Sequence, residues 1–500
     1  MNATTDIKRT QPKAQTAAKP AQDPRLMPTR NPRTGKVDYW ATAISEDELE
    51  QTCSELRRNQ KAWTGAGLEH RLTALRQWAD EIERRAKDIG QAEFLDTGRH
   101  RLSHEVPLMV AAGLRDWCVK APAILEAGHR DGRSASHPNV TFKAQLVACP
   151  LVGIISPWNH PFLLATLDAI PALIAGSAVI VKPSEVTPRF VDPVMESVKS
   201  VPELFRILRF VTGDASTGQA IVERADMVCF TGSITTGRKI AEACARRLIP
   251  LYLEMGGKDA AIVAPGADID RAATAILRGS AYATGQICFS TERVYVHKDL
   301  HDSFVDLLVK KSDALRLSFP DPHSGHIGPF IFEKQAAVVD RHIDDALAKG
   351  AKLLTGGKSE VLGGGMYMKA TVLTDVTHDM LIMKEETFGP VTPVMRYSSE
   401  DEAVALANDS SYGLSAAVFA GTAEQAAGIA SRVEAGAISL QDAAVTIAIL
   451  RDAEKTSFKQ SALGGSRMGP NAILRFFTKK VLVLNSGPTA DMQDLAERAA

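Results

Sequence analysis

A chain of 500 residues with 45% hydrophobic content can fill two or three domains, since single cores rarely grow past roughly 250–300 residues. A formal net charge of −1 leaves no overall field for a polyanion, which argues against nucleic acid as a partner. Six scattered cysteines without a C-x-x-C pair suggest a reducing compartment and no metal site, and no apolar run reaches the roughly 18 residues of a membrane span.

Residues 1–30 carry Thr, Gln, Ala, Pro and basic side chains with hardly any large apolar group, so a disordered N-terminal arm is expected there. No secretory-type apolar core is found in it, and the expected location is cytoplasmic. From Ser45 to about Gln91, Leu49, Cys53 and Leu56, then Leu68, Leu72, Leu75 and Ile82, recur at helical spacing and predict two amphipathic helices. A further helix is expected from about Ser103 into the 120s, before Asp131-Gly132 turns the chain. The period then changes. Residues 140–149 and 151–156 read as strands separated by Pro150, and short apolar strands at 177–182, 207–212, 227–231 and 249–254 alternate with helical stretches. That order predicts a doubly wound, mostly parallel sheet, which suits nucleotide binding.

After Gly257 a second series begins, with strands near 260–264, 292–297, 370–374, 390–396, 414–420 and 436–440 and helices including 268–284, 301–317 and 332–349. A second α/β domain is therefore expected, with Glu254 near the seam and Cys288 just inside it, where ligand clefts are common. The segment 474–484 alternates too little for a solvated strand and should pair with another; residues 487–500 read as a loose tail.

In Gly285-Gln286-Ile287-Cys288-Phe289 a turn-type glycine leads to one cysteine between large apolar residues. Its thiolate could attack a carbonyl carbon if a base removes the proton, and Glu254, at the end of an apolar strand and before Gly256-Gly257, is the candidate base. Inert packing is the alternative for a lone buried cysteine. Pro157-Trp158-Asn159-His160-Pro161 holds Asn159 in a rigid turn, where its amide could meet an oxyanion or merely cap the next helix. Lys182-Pro183-Ser184-Glu185 could bond ribose hydroxyls, and its carboxylate would repel a 2′-phosphate, favouring NAD over NADP; a surface charge pair is the alternative. Phe230-Thr231-Gly232-Ser233 precedes a helix expected over 237–246 and could hold a pyrophosphate, or be an ordinary Ser-capped turn. Glu385-Glu386-Thr387-Phe388-Gly389-Pro390 offers a carboxylate for a second ribose and an aromatic wall, without a physical basis for choosing between Glu385 and Glu386.

These stretches, with Leu253-Glu254-Met255-Gly256-Gly257-Lys258 and Asn408-Asp409-Ser410-Ser411-Tyr412-Gly413-Leu414, closely resemble the NAD(P)-dependent aldehyde dehydrogenase superfamily in order and spacing, from about Asn31 to Asn485. The resemblance implies an α/β fold of two doubly wound, mostly parallel-sheet domains plus a small β oligomerisation arm. The dinucleotide-binding domain would take 31–131 and 150–256, the catalytic domain 257–455, and the arm 132–149 and 474–486, giving a homodimer or homotetramer. It further implies Cys288 as nucleophile, Asn159 as oxyanion donor and Glu254 as the base that activates the hydrolytic water. Lys182, Glu185, Gly232, Ser233, Met255, Gly256, Glu386 and Phe388 would hold the cofactor, NAD or alternatively NADP, with Ile155, Ser156, Trp158 and Ser184 completing those contacts.

Two departures bear on substrate rather than chemistry. Gln441 stands where the family often has Asn, and Ser457-Phe458-Lys459-Gln460 replaces Pro-Phe-Gly-Gly. Leu163, Leu164, Leu167, Ile287, Phe289 and Phe458 would line an apolar tunnel that offers no cation, suiting aromatic or medium-chain aliphatic aldehydes; plain core packing is the alternative. Transfer of the acyl group to coenzyme A is disfavoured by the presence of Glu254. A cofactor-independent thiol esterase using Cys288 is the competing class, disfavoured by the lack of a clear His partner.

Overall fold

The computed structural model describes residues 23–495 and residue 497, organised by two large sheets and a three-stranded ribbon. The first sheet runs Ala462–Leu463, Leu251–Glu254, Met227–Thr231, Leu151–Ile155, Ala178–Lys182, Leu208–Phe210. Its last five strands are parallel. Ala178–Lys182 is buried along its whole length, as a strand covered by helices on both faces must be. One covering helix, Glu46–Gly65, starts at a reciprocal cap: Glu48 N donates to Ser45 Oγ (3.2 Å) and Ser45 N to the Glu48 carboxylate (2.8 Å). Its Leu49, Cys53, Leu56 and Trp63 are buried in the core shared with the sheet.

The second sheet runs Lys352–Thr355, Thr371–Thr374, Val391–Tyr397, Thr291–His297, Asp259–Val263, Ser415–Phe419, Ala437–Leu440, parallel except at Lys352–Thr355. In the ribbon, Phe477–Asn485 lies antiparallel to Val140–Ala148, which pairs in turn with Gly132–Arg133. The expected class, two mostly parallel α/β sheets and a small β arm, is the observed one. No helix of the described residues is long and apolar enough to cross a membrane.

Several boundaries differ from expectation. The arm expected over 1–30 falls largely on residues outside the described ones, but Leu26–Arg30 is ordered as a strand paired with Val37–Thr42. Backbone pairing there needs no apolar run. Three helices, Glu46–Gly65, Leu68–Arg84 and Ala86–Thr97, replace the expected two. The helix expected over 268–284 ends at Ala281, because Ala283 and Thr284 turn to φ values of 52° and 63°. Beyond the expected end of the second domain at 455, the chain crosses back and adds Ala462–Leu463 antiparallel to the first sheet. The ribbon strand begins at Phe477, behind a helical turn at Asn471–Leu474. The tail expected to be loose carries a 3-10 turn at Met492–Leu495, with residues 496 and 498–500 outside the described ones.

Candidate active site

Parallel strands present all their carboxyl ends at one edge, the usual place for ligands in such sheets. Ile155 and Ser156, Lys182, Thr231 and Gly232, and Glu254 and Met255 therefore come together at one edge of the first sheet. Cross-links hold the loops in register: Ser156 N donates to Lys182 O (3.1 Å) and Gly232 N to Glu254 O (3.2 Å). Ser156 Oγ is buried without a hydrogen-bond partner among the described residues, and the Lys182 ammonium donates to Pro183 O (2.9 Å) and Glu185 (3.3 Å). Burial lowers the Lys182 pKa, with Glu185 opposing. Ser233 caps the helix Ile234–Arg247, accepting from Thr236 N (3.3 Å); that helix starts three residues earlier than expected.

Gly256 and Gly257 allow three segments to meet. A Cβ on Gly256 would collide with the Glu386 carboxylate, and one on Gly257 would fall 2.5 Å from Cys288 O. Gly257 N donates to Glu386 Oε1 (3.2 Å), which resolves the ambiguity of the acidic pair: Glu386 turns inward, while Glu385 faces Arg341 (3.1 Å) and His342 (3.3 Å). Burial and Glu292 push the Glu386 carboxyl up to about 8, with the Gly257 N–H opposing. Glu292 is a residue the sequence reading missed: its carboxylate accepts from Thr387 N and Phe388 N (2.8 Å each) and from the buried Lys258 ammonium (2.8 Å), fixing the loop on which Glu386 sits. Phe388, at φ 55°, meets the Trp158 ring edge to face at 5.4 Å.

Cys288 is half-buried, whereas the other five cysteines are fully buried, and none is paired. Burial pushes its thiol up to about 12, and the Glu254 carboxylate raises it further while Lys455 lowers it. The two charges therefore act on this thiol in opposite senses. Glu254 accepts from Ser457 Oγ (3.2 Å) and lies 3.7 Å from the Lys455 ammonium, which itself donates to Ser457 Oγ (2.7 Å). Lys455 is thus a cation beside Glu254 that the sequence reading did not single out, while the expected apolar positions themselves carry none. Lys455 escaped notice because it belongs to the crossing segment, and only its neighbour Ser457 marked the departure.

Asn159 is buried, and its Nδ2 donates to Gln286 O (3.0 Å), two residues before Cys288. Arg99, also missed, locks that arrangement: its guanidinium donates to Asn159 O (3.0 Å), to Gln286 Oε1 (3.1 Å) and to Ala283 O. Leu163, Leu164, Leu167 and Phe289 are partly exposed and Ile287 is buried. Phe458 is 46% exposed on a two-residue strand against Tyr412–Gly413. Glu185 and Ser233 are exposed, and Ser184 Oγ accepts from Val186 N (3.2 Å) at the outer rim.

A family model described as the aldehyde dehydrogenase family matches residues 19–482. A protein of Mycobacterium ulcerans provisionally named NADP+-dependent succinate-semialdehyde dehydrogenase 2 is 34% identical over 414 residues, covering 82% of this chain and 79% of its own. PutA of Anabaena variabilis, a solved structure ascribed to the aldehyde dehydrogenases, is similar with a TM-score of 0.90 at 45% identity, covering 93% of this chain and 99% of that one. Betaine aldehyde dehydrogenase of Staphylococcus aureus, solved with NAD+, gives 0.85 at 28% identity and 93% coverage of each chain. The chain belongs to the aldehyde dehydrogenase family. It is an oxidoreductase that acts on aldehydes with NAD or NADP.

Proposed function

We propose that the protein oxidises aromatic or medium-chain aliphatic aldehydes to carboxylic acids, with Cys288 as nucleophile, Asn159 as oxyanion donor and Glu254 as base. The observation that carries this is the close approach of the segment after Glu254 to the Cys288 backbone, where a Cβ on Gly257 would fall 2.5 Å from Cys288 O. A thiol pushed up to about 12 by burial is protonated at neutral pH, so its proton must pass to solvent before attack, with Lys455 favouring the thiolate and Glu254 opposing it, which leaves Glu254 as the base of the later hydrolysis. The thiolate adds to the carbonyl carbon, and the oxyanion is met by the Asn159 side chain and the Cys288 N–H, a donor of the kind worth about 2.7–4 kcal/mol in the transition state.

A bound NAD(P)+ would supply the acceptor for the hydride of the thiohemiacetal carbon held on Cys288. The residues present fit such a cofactor: Ser156 offers a buried, unpartnered hydroxyl, Gly256 lets the Glu386 carboxylate turn inward, and Glu386 with Phe388 and Trp158 forms a polar and aromatic wall. Glu185 at the rim of the same edge supports a preference for NAD through repulsion of a 2′-phosphate. The remaining thioester is hydrolysed by water from which Glu254 takes a proton, releasing the carboxylate and restoring the thiol. In sum, aldehyde, NAD+ and water give carboxylate, NADH and two protons.

The substrate reading rests on the partly exposed Leu163, Leu164, Leu167 and Phe289. Relatives named for an anionic and for a cationic aldehyde are both similar to this chain, so their names do not favour either charge. Unpaired cysteines support a cytoplasmic location, and the apolar ribbon strand supports a homodimer or homotetramer. The test is pre-steady-state NADH formation. Cys288→Ala should abolish oxidation while NADH binding persists; Glu254→Gln should give a burst of NADH and then a steady rate lowered at least 100-fold. An unchanged steady rate removes Glu254 from hydrolysis, and ester cleavage without NAD-dependent oxidation would favour the esterase reading.

A further inference from the structure

A cavity of about 750 Å³ opens beside the turn that leads to Cys288, yet Cys288, Glu254 and Asn159 do not line it. Its volume is that of a small-ligand site. Among the described residues that line it none is acidic, while Arg99, Arg101, Arg278 and Lys311 bring four cationic groups to its wall. The carboxylates paired with three of them, Glu105, Asp442 and Asp270, stand outside the lining.

Arg99 is different. It is 7% exposed, its guanidinium donates to carbonyl and amide oxygens, and its Nε has no partner. The carboxyl whose charge it feels, Glu93, is pushed up to about 8 by burial and so is protonated at neutral pH. A buried guanidinium without a counter-ion is unfavourable, and an anion in the cavity would relieve it. The helix His100–Gly128 adds the positive end of 29 residues: no side chain caps it, and its first three residues line the same wall. Leu102, Leu277, Leu315 and Ile327 add an apolar patch to a lining that also includes His100, His323 and His326.

We propose that this cavity is a second ligand site, for a small amphipathic anion with a carboxylate or phosphate head and an apolar body. The head lies against Arg99, Lys311, Arg278 and the helix start, and the body against the leucines. Arg99 joins this site to the catalytic one, because the same guanidinium holds Asn159 O and the Ala283–Gln286 turn. Occupancy therefore pulls on a turn already held at positive φ at Ala283 and Thr284.

Isothermal titration of the full-length protein with octanoate, octyl phosphate and octanol tests the proposal, with the two anions separating a carboxylate from a phosphate preference. At least one anion should bind, octanol should bind at least tenfold more weakly, and Lys311→Glu and Arg278→Glu should each weaken the anion at least tenfold. Lys311→Met and Arg278→Met should show a smaller loss and serve in place of a reversed variant that fails to fold. Failure of both anions to bind, equal binding of octanol, or anion binding unaltered in the folded variants overturns it; the last result would place the anion elsewhere, the aldehyde tunnel included.

Discussion

Behind burial, the charge that most opposes ionisation of Cys288 is Glu254, and the charge that favours it is Lys455. The sign of each effect gives a measurable expectation in the free enzyme, since alkylation by iodoacetamide follows the thiolate fraction. Lys455→Met should move the alkylation profile of Cys288 to higher pH, and Glu254→Gln should move it to lower pH. Coincident profiles for all three proteins would mean that neither charge reaches the sulfur. The inward turn of Glu386 supplies a second contrast: Glu386→Gln should raise the KM for NAD+ at least tenfold, whereas Glu385→Gln, which only loosens contacts to Arg341 and His342, should leave it within twofold. Cys288, Glu254 and Asn159 stand out as candidates in the chain because each lies in a short run with turn residues at fixed offsets. Lys455, Arg99 and Glu292 do not, because their roles arise from contacts between segments far apart in sequence, and nothing local distinguishes them from solvated charges.

At the level of strands and loops, the catalytic edge depends on glycines that let backbones pass close together. Gly256→Ala should force the Glu386 carboxylate aside and cost about 1–3 kcal/mol as overpacking, with weaker NAD+ binding detected by titration and a lowered midpoint in urea. The crossing segment is fastened by charge as well: Asp168 is buried between Arg467 and Arg475, with Arg467 Nε donating to it at 3.0 Å. Asp168→Ala would leave two buried guanidinium groups unbalanced, a loss of about 3–5 kcal/mol for which urea unfolding is the measurement. The long parallel strands were readable from runs of apolar residues between turn signals. Leu26–Arg30, Lys352–Thr355 and Ala462–Leu463 were not: they lack a buried apolar run, and what makes them strands is the antiparallel partner they pair with. The early end of the helix at Ala281 was hidden for a related reason, since Ala283 and Thr284 carry no preference for positive φ and the surrounding contacts impose it.

For the molecule as a whole, the ribbon strand Phe477–Asn485 is paired on one side only, and its Val481, Leu482, Val483 and Leu484 are 45–67% exposed. Such an edge invites pairing with a second copy. Introducing Lys at both Val483 and Leu484 should shift the sedimentation of the protein toward the monomer, and sedimentation identical to that of the unaltered chain would show that assembly uses another surface. The same C-terminal stretch has a consequence for synthesis. The edge strand Ala462–Leu463 completes a sheet whose first strand starts at Leu151, so a growing chain keeps Leu251–Glu254 unzipped on that side until about 200 further residues have left the ribosome. Pairings this distant in sequence form late, and during the wait the nascent protein exposes a bare strand that chaperones would be expected to shield.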